Sequence, residues 1–176
     1  MLLRCKNLTI RNATVDDAEQ LAAWWNDGAV MAHAGFPNGT GQKAKDIADS
    51  LENDRDDFHR CLIIEVSKVP VGEMSYRNKG EGTAEIGIKI CDFSLHNRGL
   101  GKIFLSMLIS ALFNEMGYNK IILDTNMNNK RAQHVYEELG FRKVCIRENS
   151  WKNQLGELQS SIDYELYQGD FIDYAK

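Results

Sequence analysis

The sequence predicts a single mixed α/β domain: a central, mostly antiparallel twisted sheet that contains one parallel βαβ unit and is flanked by helices. Three observations carry this. Three β-rich stretches, His59–Val66, Val71–Arg77 and Thr83–Cys91, follow one another across short polar turns, the pattern of an antiparallel meander. After them, Leu100, Ile103, Phe104, Met107, Leu108, Ala111 and Leu112 recur at the spacing of one buried helix face and lead into a short strand, Lys120–Thr125. A strand–helix–strand run of this kind joins parallel strands through a right-handed crossover. Finally, 176 residues, 43% of them apolar, suffice for one core, and no repeat, linker or low-complexity tract interrupts them.

The other elements follow in order. Leu8–Arg11 alternates apolar and polar residues as a first strand. Thr14 caps a helix whose first turns hold Asp16, Asp17 and Glu19, where acid suits the dipole, and whose apolar side is Leu21, Trp24 and Trp25. Gly28–Gly41 is rich in turn residues; with His33 and Phe36 inside it and two tryptophans just ahead, it is either a pocket wall or a plain connector. Asp46–Asp57 carries six acids against one base, Arg55, and is either a solvated helix face or an acidic rim that draws in cationic amines. The helix from Gly99 ends near Met116, with Gly117 as its C-cap. A second helix spans Asn129–Leu139 and stops at Gly140, and Phe141–Glu148 with Ser161–Tyr167 form a closing strand pair.

Composition excludes several functions. A net charge of −4 disfavours nucleic acid as the main partner, since a phosphate backbone needs a basic face. The first six residues lack the long apolar region of a signal peptide, and Ile103–Phe113 is too short to span a bilayer, so no membrane partner is expected. Cys5, Cys61, Cys91 and Cys145 are scattered, with no Cys-x-x-Cys pair for zinc or redox work. They read as reduced cysteines of a cytoplasmic protein without a metal site.

The chemistry gathers at His96-Asn97-Arg98-Gly99-Leu100-Gly101-Lys102, a strand-to-helix turn. Its glycines leave the first N–H groups of the helix uncovered, and these carry partial positive charge, a natural cradle for phosphate. Arg98 and Lys102 add full charges. The Rossmann fingerprint is excluded because Phe104 stands where its third glycine belongs, and the P-loop because Ile103 follows Gly101-Lys102. Glycines that merely allow close packing on the sheet are the plainer alternative.

Further motifs add specificity. Asn97-Arg98-Gly99-Leu100-Gly101-Lys102, Leu123-Asp124-Thr125-Asn126, Asn129-Lys130-Arg131-Ala132 and Tyr136-Glu137-Glu138-Leu139-Gly140-Phe141 together resemble the acetyl-CoA-binding core of the GNAT superfamily of N-acetyltransferases, strongly over residues 83–145. The tail, Arg147-Glu148 through Trp151 to Tyr164, is similar to the branch holding ribosomal-protein N-terminal and small-amine or antibiotic acetyltransferases. The resemblance implies acetyl-CoA as co-substrate. It places the pyrophosphate on Arg98, Gly99, Leu100, Gly101 and Lys102, and the pantetheine arm along the strand edge at Ile88 and Ile90. Asn126, Asn129, Arg131, Ala132 and Tyr136 complete the implied cofactor site. The family usually carries Gln or Arg where this chain has His96, which makes binding pH-dependent or weaker.

Acyl transfer to an amine needs a base to neutralise the ammonium, a donor for the oxyanion and a proton for the leaving thiolate. Tyr136 matches the family's tyrosine near the thioester sulfur and is assigned as general acid; a core aromatic is the alternative. An N–H near Ile88–Ile90 is the expected oxyanion donor. Glu85 is the first choice of base, with burial expected to raise its pKa; Glu73 or a water chain is the runner-up, and His33, His134 and a Cys91 nucleophile are remoter. The expected activity is acetyl transfer from acetyl-CoA to a primary amine by direct attack in a ternary complex. A small molecule or a peptide N-terminus is the acceptor, with a slight lean toward a cationic molecule, and a homodimer is possible. A non-catalytic acyl-CoA sensor of the same fold is the rival, and a nucleotide-binding domain a third.

Overall fold

In the computed structural model, which describes residues 1–176, an eight-stranded sheet runs in the order β1-β2-β3-β4-β5-β6-β8-β7. The strands are β1 (Leu2–Cys5), β2 (Leu8–Asn12), β3 (His59–Val66), β4 (Val69–Gly80), β5 (Thr83–Ile90), β6 (Lys120–Asn126), β7 (Arg142–Lys152) and β8 (Leu158–Tyr167). The helices are α1 (Ala18–Trp25), α2 (Gly28–Met31), α3 (Ala44–Glu52), α4 (Leu100–Asn114) and α5 (Lys130–Glu138).

The meander β3–β4–β5 forms as its alternation predicts, with Tyr76 opposite Ile86 and Met74 opposite Ile88. Chain reversal through α4 makes β5 and β6 parallel, the one parallel pair in the sheet. That pairing lasts only from Thr83–Glu85 against Lys120–Ile122; beyond it the strands part. Cys91 N–H donates to Val71 on the β4 side, whereas Gly82 C=O accepts from Lys120 on the β6 side. Strand alternation therefore turns the main-chain groups of Ile86, Ile88 and Ile90 into the gap between β5 and β6.

Two cores lie on opposite faces of the sheet. Under one face, α4 is apolar nearly all round and buries Phe104, Leu105, Leu108, Ile109 and Leu112 against Leu62, Ile64, Met74, Tyr76 and Ile86. On the other face, α1 and α3 cover only the β2–β3 end through Leu21, Ala22, Ile47 and Leu51 over Cys61 and Ile63. The rest of that face is left open as the floor of a cleft.

Three expectations change. A strand precedes the first one predicted: Leu2–Cys5 pairs with Leu8–Asn12 through a tight turn at Lys6, which has φ 55°. The closing strands run longer than expected, because an exposed hairpin around Gly156 extends both. The turn-rich stretch contains a short helix, α2, capped by Asp27, whose carboxylate accepts from Ala29 N–H.

Candidate active site

A cleft of about 1440 Å³ opens where β5 and β6 separate. One half is built from α4, α5 and the β5 edge; the other lies on the open sheet face.

In the first half, α4 begins at Gly99, whose φ of +73° a side chain would strain. No backbone carbonyl accepts from the N–H groups of Gly99, Leu100, Gly101 or Lys102, so four donors stand free at the positive end of a 15-residue helix. Gly99, Leu100, Gly101 and Lys102 line the cleft, as do Ile88, Ile90, Asn126, Asn129, Arg131, Ala132 and Tyr136. Arg98, expected to add charge there, is not part of the lining. The Lys102 ammonium is also engaged elsewhere: it pairs with Glu138 at 3.1 Å and sits 4.0 Å over the Tyr174 ring. The cradle is thus made by main-chain donors.

His96 bridges the ends of β5 and α5. Its Nε2 lies 2.8 Å from the Ile90 carbonyl and its Nδ1 2.8 Å from the Arg131 guanidinium. A carbonyl only accepts and a guanidinium only donates, so in this arrangement Nε2 donates to Ile90 and Nδ1 accepts from Arg131. Asn129 caps α5 through Oδ1, which accepts from Ala132 N–H at 3.2 Å, leaving its amide nitrogen free. Asn126 is held by Gln159 and by Asn128 N–H.

Tyr136 lies between Phe141 and Tyr164, with ring centroids 5.9 and 5.6 Å away. Burial pushes its pKa up to about 12, so the phenol keeps its proton at neutral pH. Its hydroxyl has no protein partner and opens on the cleft.

On the sheet face, Glu85 lines the cleft, but its side chain is 38% exposed and faces Lys79 at 3.5 Å. The expected burial is absent because the sheet face is open at this point. Glu73, the runner-up, is 7% exposed and tied to Lys89 at 2.9 Å. Cys91 is buried, its thiol pushed up to about 12 mainly by that burial, so it is no thiolate nucleophile at neutral pH. Of the histidines, His33 and His134 both line the cleft, His134 as an exposed α5 side chain 3.6 Å from Glu138.

Sequence reasoning missed several neighbours. Register sets Arg77 opposite Glu85 and Ser75 opposite Gly87, with His59 opposite Arg77. Asp124 follows Ile122, the β6 partner of Glu85, by two residues and shares its face. Burial raises the Asp124 pKa, and Asp163 and Glu85 add to this against the opposing pull of Arg147. Extending strand alternation from Glu85 to its neighbours would have found Arg77.

The far wall is the 28–41 stretch. Ala29, Val30, His33 and Ala34 line the cleft, which bears out the pocket-wall expectation. Gly35 lies so close to Trp151 that a Cβ there would fall 2.4 Å from its ring. Gln154 N–H donates to Gly35, and the Gln154 side chain bridges Asn38 and Gly39. By contrast, no residue of 46–57 reaches the cleft. Asp54 instead holds His59 and Cys61 N–H, and Asp56 holds Tyr76 and Arg60. The acidic rim is therefore corrected to a solvated helix and a structural loop.

Comparisons with known proteins agree with this architecture. The structure superposes on a probable acetyltransferase with a TM-score of 0.83 at 19% identity, covering 97% of this chain and 99% of the other. It matches spermidine N-acetyltransferase from Vibrio cholerae, solved in complex with CoA and spermine, at 0.83 and 19% identity over 93% and 97% of the two chains. A GNAT-family acetyltransferase from Bacillus anthracis gives 0.78 at 19% identity over 96% and 99%. An uncharacterized protein of Methanocaldococcus jannaschii is 34% identical over 82 residues, 46% of this chain but only 17% of that protein's length. Residues 7–142 match the family model of the acetyltransferase (GNAT) domain, and the chain belongs to this acetyltransferase family.

Proposed function

We propose that the protein transfers the acetyl group of acetyl-CoA to a primary amine by direct attack within a ternary complex. The observation that carries this is the splay between β5 and β6, which joins a row of free helix amides to a polar acceptor floor in one cleft. Acetyl-CoA supplies an activated acetyl thioester. The residues present suit it: the amides of Gly99–Lys102 match a pyrophosphate, and the β5 edge at Ile88, with the Ile90 N–H, matches an amide-bearing arm. Asn129 offers its spare amide hydrogens, while Arg131, fixed by His96, and Ala132 flank the same wall.

Glu85, directly or through water, takes one proton from the ammonium so that the nitrogen lone pair can attack. The Ile88–Ile90 edge supplies an N–H to the developing oxyanion. As the C–N bond forms and the C–S bond breaks, Tyr136 gives its proton to sulfur. The second proton lost by nitrogen restores Tyr136 through solvent, so one proton is released per amide made. Measuring thiol release from acetyl-CoA against peptides, amino acids, polyamines and aminoglycosides tests this. A responding amine supports it, and silence with acetyl-CoA bound favours a sensor domain instead.

A further inference from the structure

We infer that the acceptor is a small zwitterion, a primary amine that also carries a carboxylate, with Arg77 as the residue that binds the carboxylate. This rests on the N-acetyltransferase reading of the cleft and names its substrate class.

The argument begins from how charge is matched on the open sheet face. Glu85 faces Lys79 at 3.5 Å, Lys89 holds Glu73 at 2.9 Å, and His59 is tied to Asp54 at 2.9 Å. Arg147 binds Asp163 at 2.8 Å and is also approached by Asp124 at 3.5 Å. Arg77 lines the same cleft and makes no ion pair or side-chain hydrogen bond. At the β4 side of the floor, then, a guanidinium lacks an acid. At the β6 side, two carboxylates, Asp124 and Asp163, share one arginine. Glu85 stands between them on β5, opposite Arg77.

This polarity fits a ligand with opposite charges at its two ends. Arg77 and Asp124 lie two strand spacings apart and two residues offset along the strands, roughly 12 Å, and further where the strands diverge. Both residues line the cleft, and that span leaves room for a molecule of amino-acid size. An arginine fork takes a carboxylate through two parallel hydrogen bonds. An ammonium directed to the carboxylates of Asp124 and Glu85 then faces the β5–β6 gap, where the thioester would arrive. A polyamine would instead bring further positive charge against Arg77, the guanidinium that no acid balances. The acidic run at 46–57, read above as a draw for cationic amines, lies outside the cleft.

The test compares matched acceptors by thiol release with the full chain: free amino acids, their carboxamides, the corresponding decarboxylated amines, and spermidine. The carboxamide amine is the less basic and is more often neutral at pH 7, so a preference for the free acid must come from binding. We expect kcat/KM for the best free acid to exceed that of its amide by at least about tenfold. Arg77→Gln should bring that ratio close to one, chiefly through KM, and Arg77→Lys should retain part of it; acetyl-CoA affinity, measured by calorimetry, reports that the fold is intact. Amides or spermidine matching or surpassing the free acids, or a ratio unmoved in Arg77→Gln, would overturn the inference. Silent amino acids beside a responding carboxylate-free amine would sink it while leaving the acetyltransferase reading intact; silence from every amine would sink both.

Discussion

Replacing Tyr136 with phenylalanine removes one oxygen from the cleft and little else. The hydroxyl bonds to no protein group, so its loss strands no partner. The ring keeps its edge contacts with Phe141 and Tyr164. Stability should therefore change by less than about 0.5 kcal/mol, as for substitutions away from packing or hydrogen-bond defects, and acetyl-CoA affinity by less than about twofold. Turnover should fall by roughly 10²–10⁴, the range for loss of a positioned acid. Because burial lifts the phenol to about 12, well above its ordinary 10, it stays protonated throughout the neutral range and kcat should show no loss from its ionisation below pH 10. The same shift means that Tyr136 favours folding fully below its unfolded pKa of 10 and loses that contribution as pH climbs toward about 12. Thiol release at saturating acetyl-CoA, beside thermal melting and calorimetry, separates these effects. A variant that melts normally, binds normally and turns over normally would refute the assignment of Tyr136 as the acid.

Other perturbations test separate parts of the account. Glu85→Gln should lower kcat by about a hundredfold in thiol release; turnover close to that of the parent assigns the base elsewhere. Arg11 donates to Asp17 through both terminal nitrogens at 2.8 Å and to Glu65 at 2.7 Å. Arg11→Leu should therefore cost about 2–4 kcal/mol in denaturant unfolding, since it leaves two nearly buried carboxylates unpaired. Despite burial, Arg11 holds the Asp17 pKa below its ordinary 3.8. That stabilisation is present above the unfolded pKa and is lost as pH falls through the lower folded value, so acid sensitivity below about pH 4 should weaken in the variant. Gly35→Val, at φ +94° against Trp151, should displace the 28–41 wall, raise acceptor KM and alter tryptophan fluorescence while leaving acetyl-CoA affinity unchanged.

The half of the cleft built from α4 and α5 was readable from sequence because its signals are local. The glycines, the helix period from Leu100 and the Asn129–Tyr136 spacing each lie within a few turns of chain. What those signals missed came from a distance: Lys102 is claimed by Tyr174 from the C-terminal segment. The half on the open sheet face was much less legible, since Arg77, Glu85, Asp124 and Arg147 come from four strands and meet only once register is known. Acidic composition misled at 46–57 because charge counts do not say which carboxylates are spent on backbone amides and tyrosine hydroxyls. Glu85 was expected to be buried because its strand opens toward the split in the sheet; helices cover only the β2–β3 end of that face. The β1 strand escaped notice because four residues with a polar tight turn give too short a pattern for periodicity.

The most direct measurement of the central claim couples thiol release to mass analysis of both acceptor and protein. Direct transfer predicts no thiol from acetyl-CoA alone and one acetylated amine for each thiol released once an acceptor is present, with the protein's mass unchanged. A burst of thiol without acceptor, with an acetyl group left on the chain, would contradict attack by the amine itself. Acetyl-CoA binding with no transfer to any amine would contradict the enzyme.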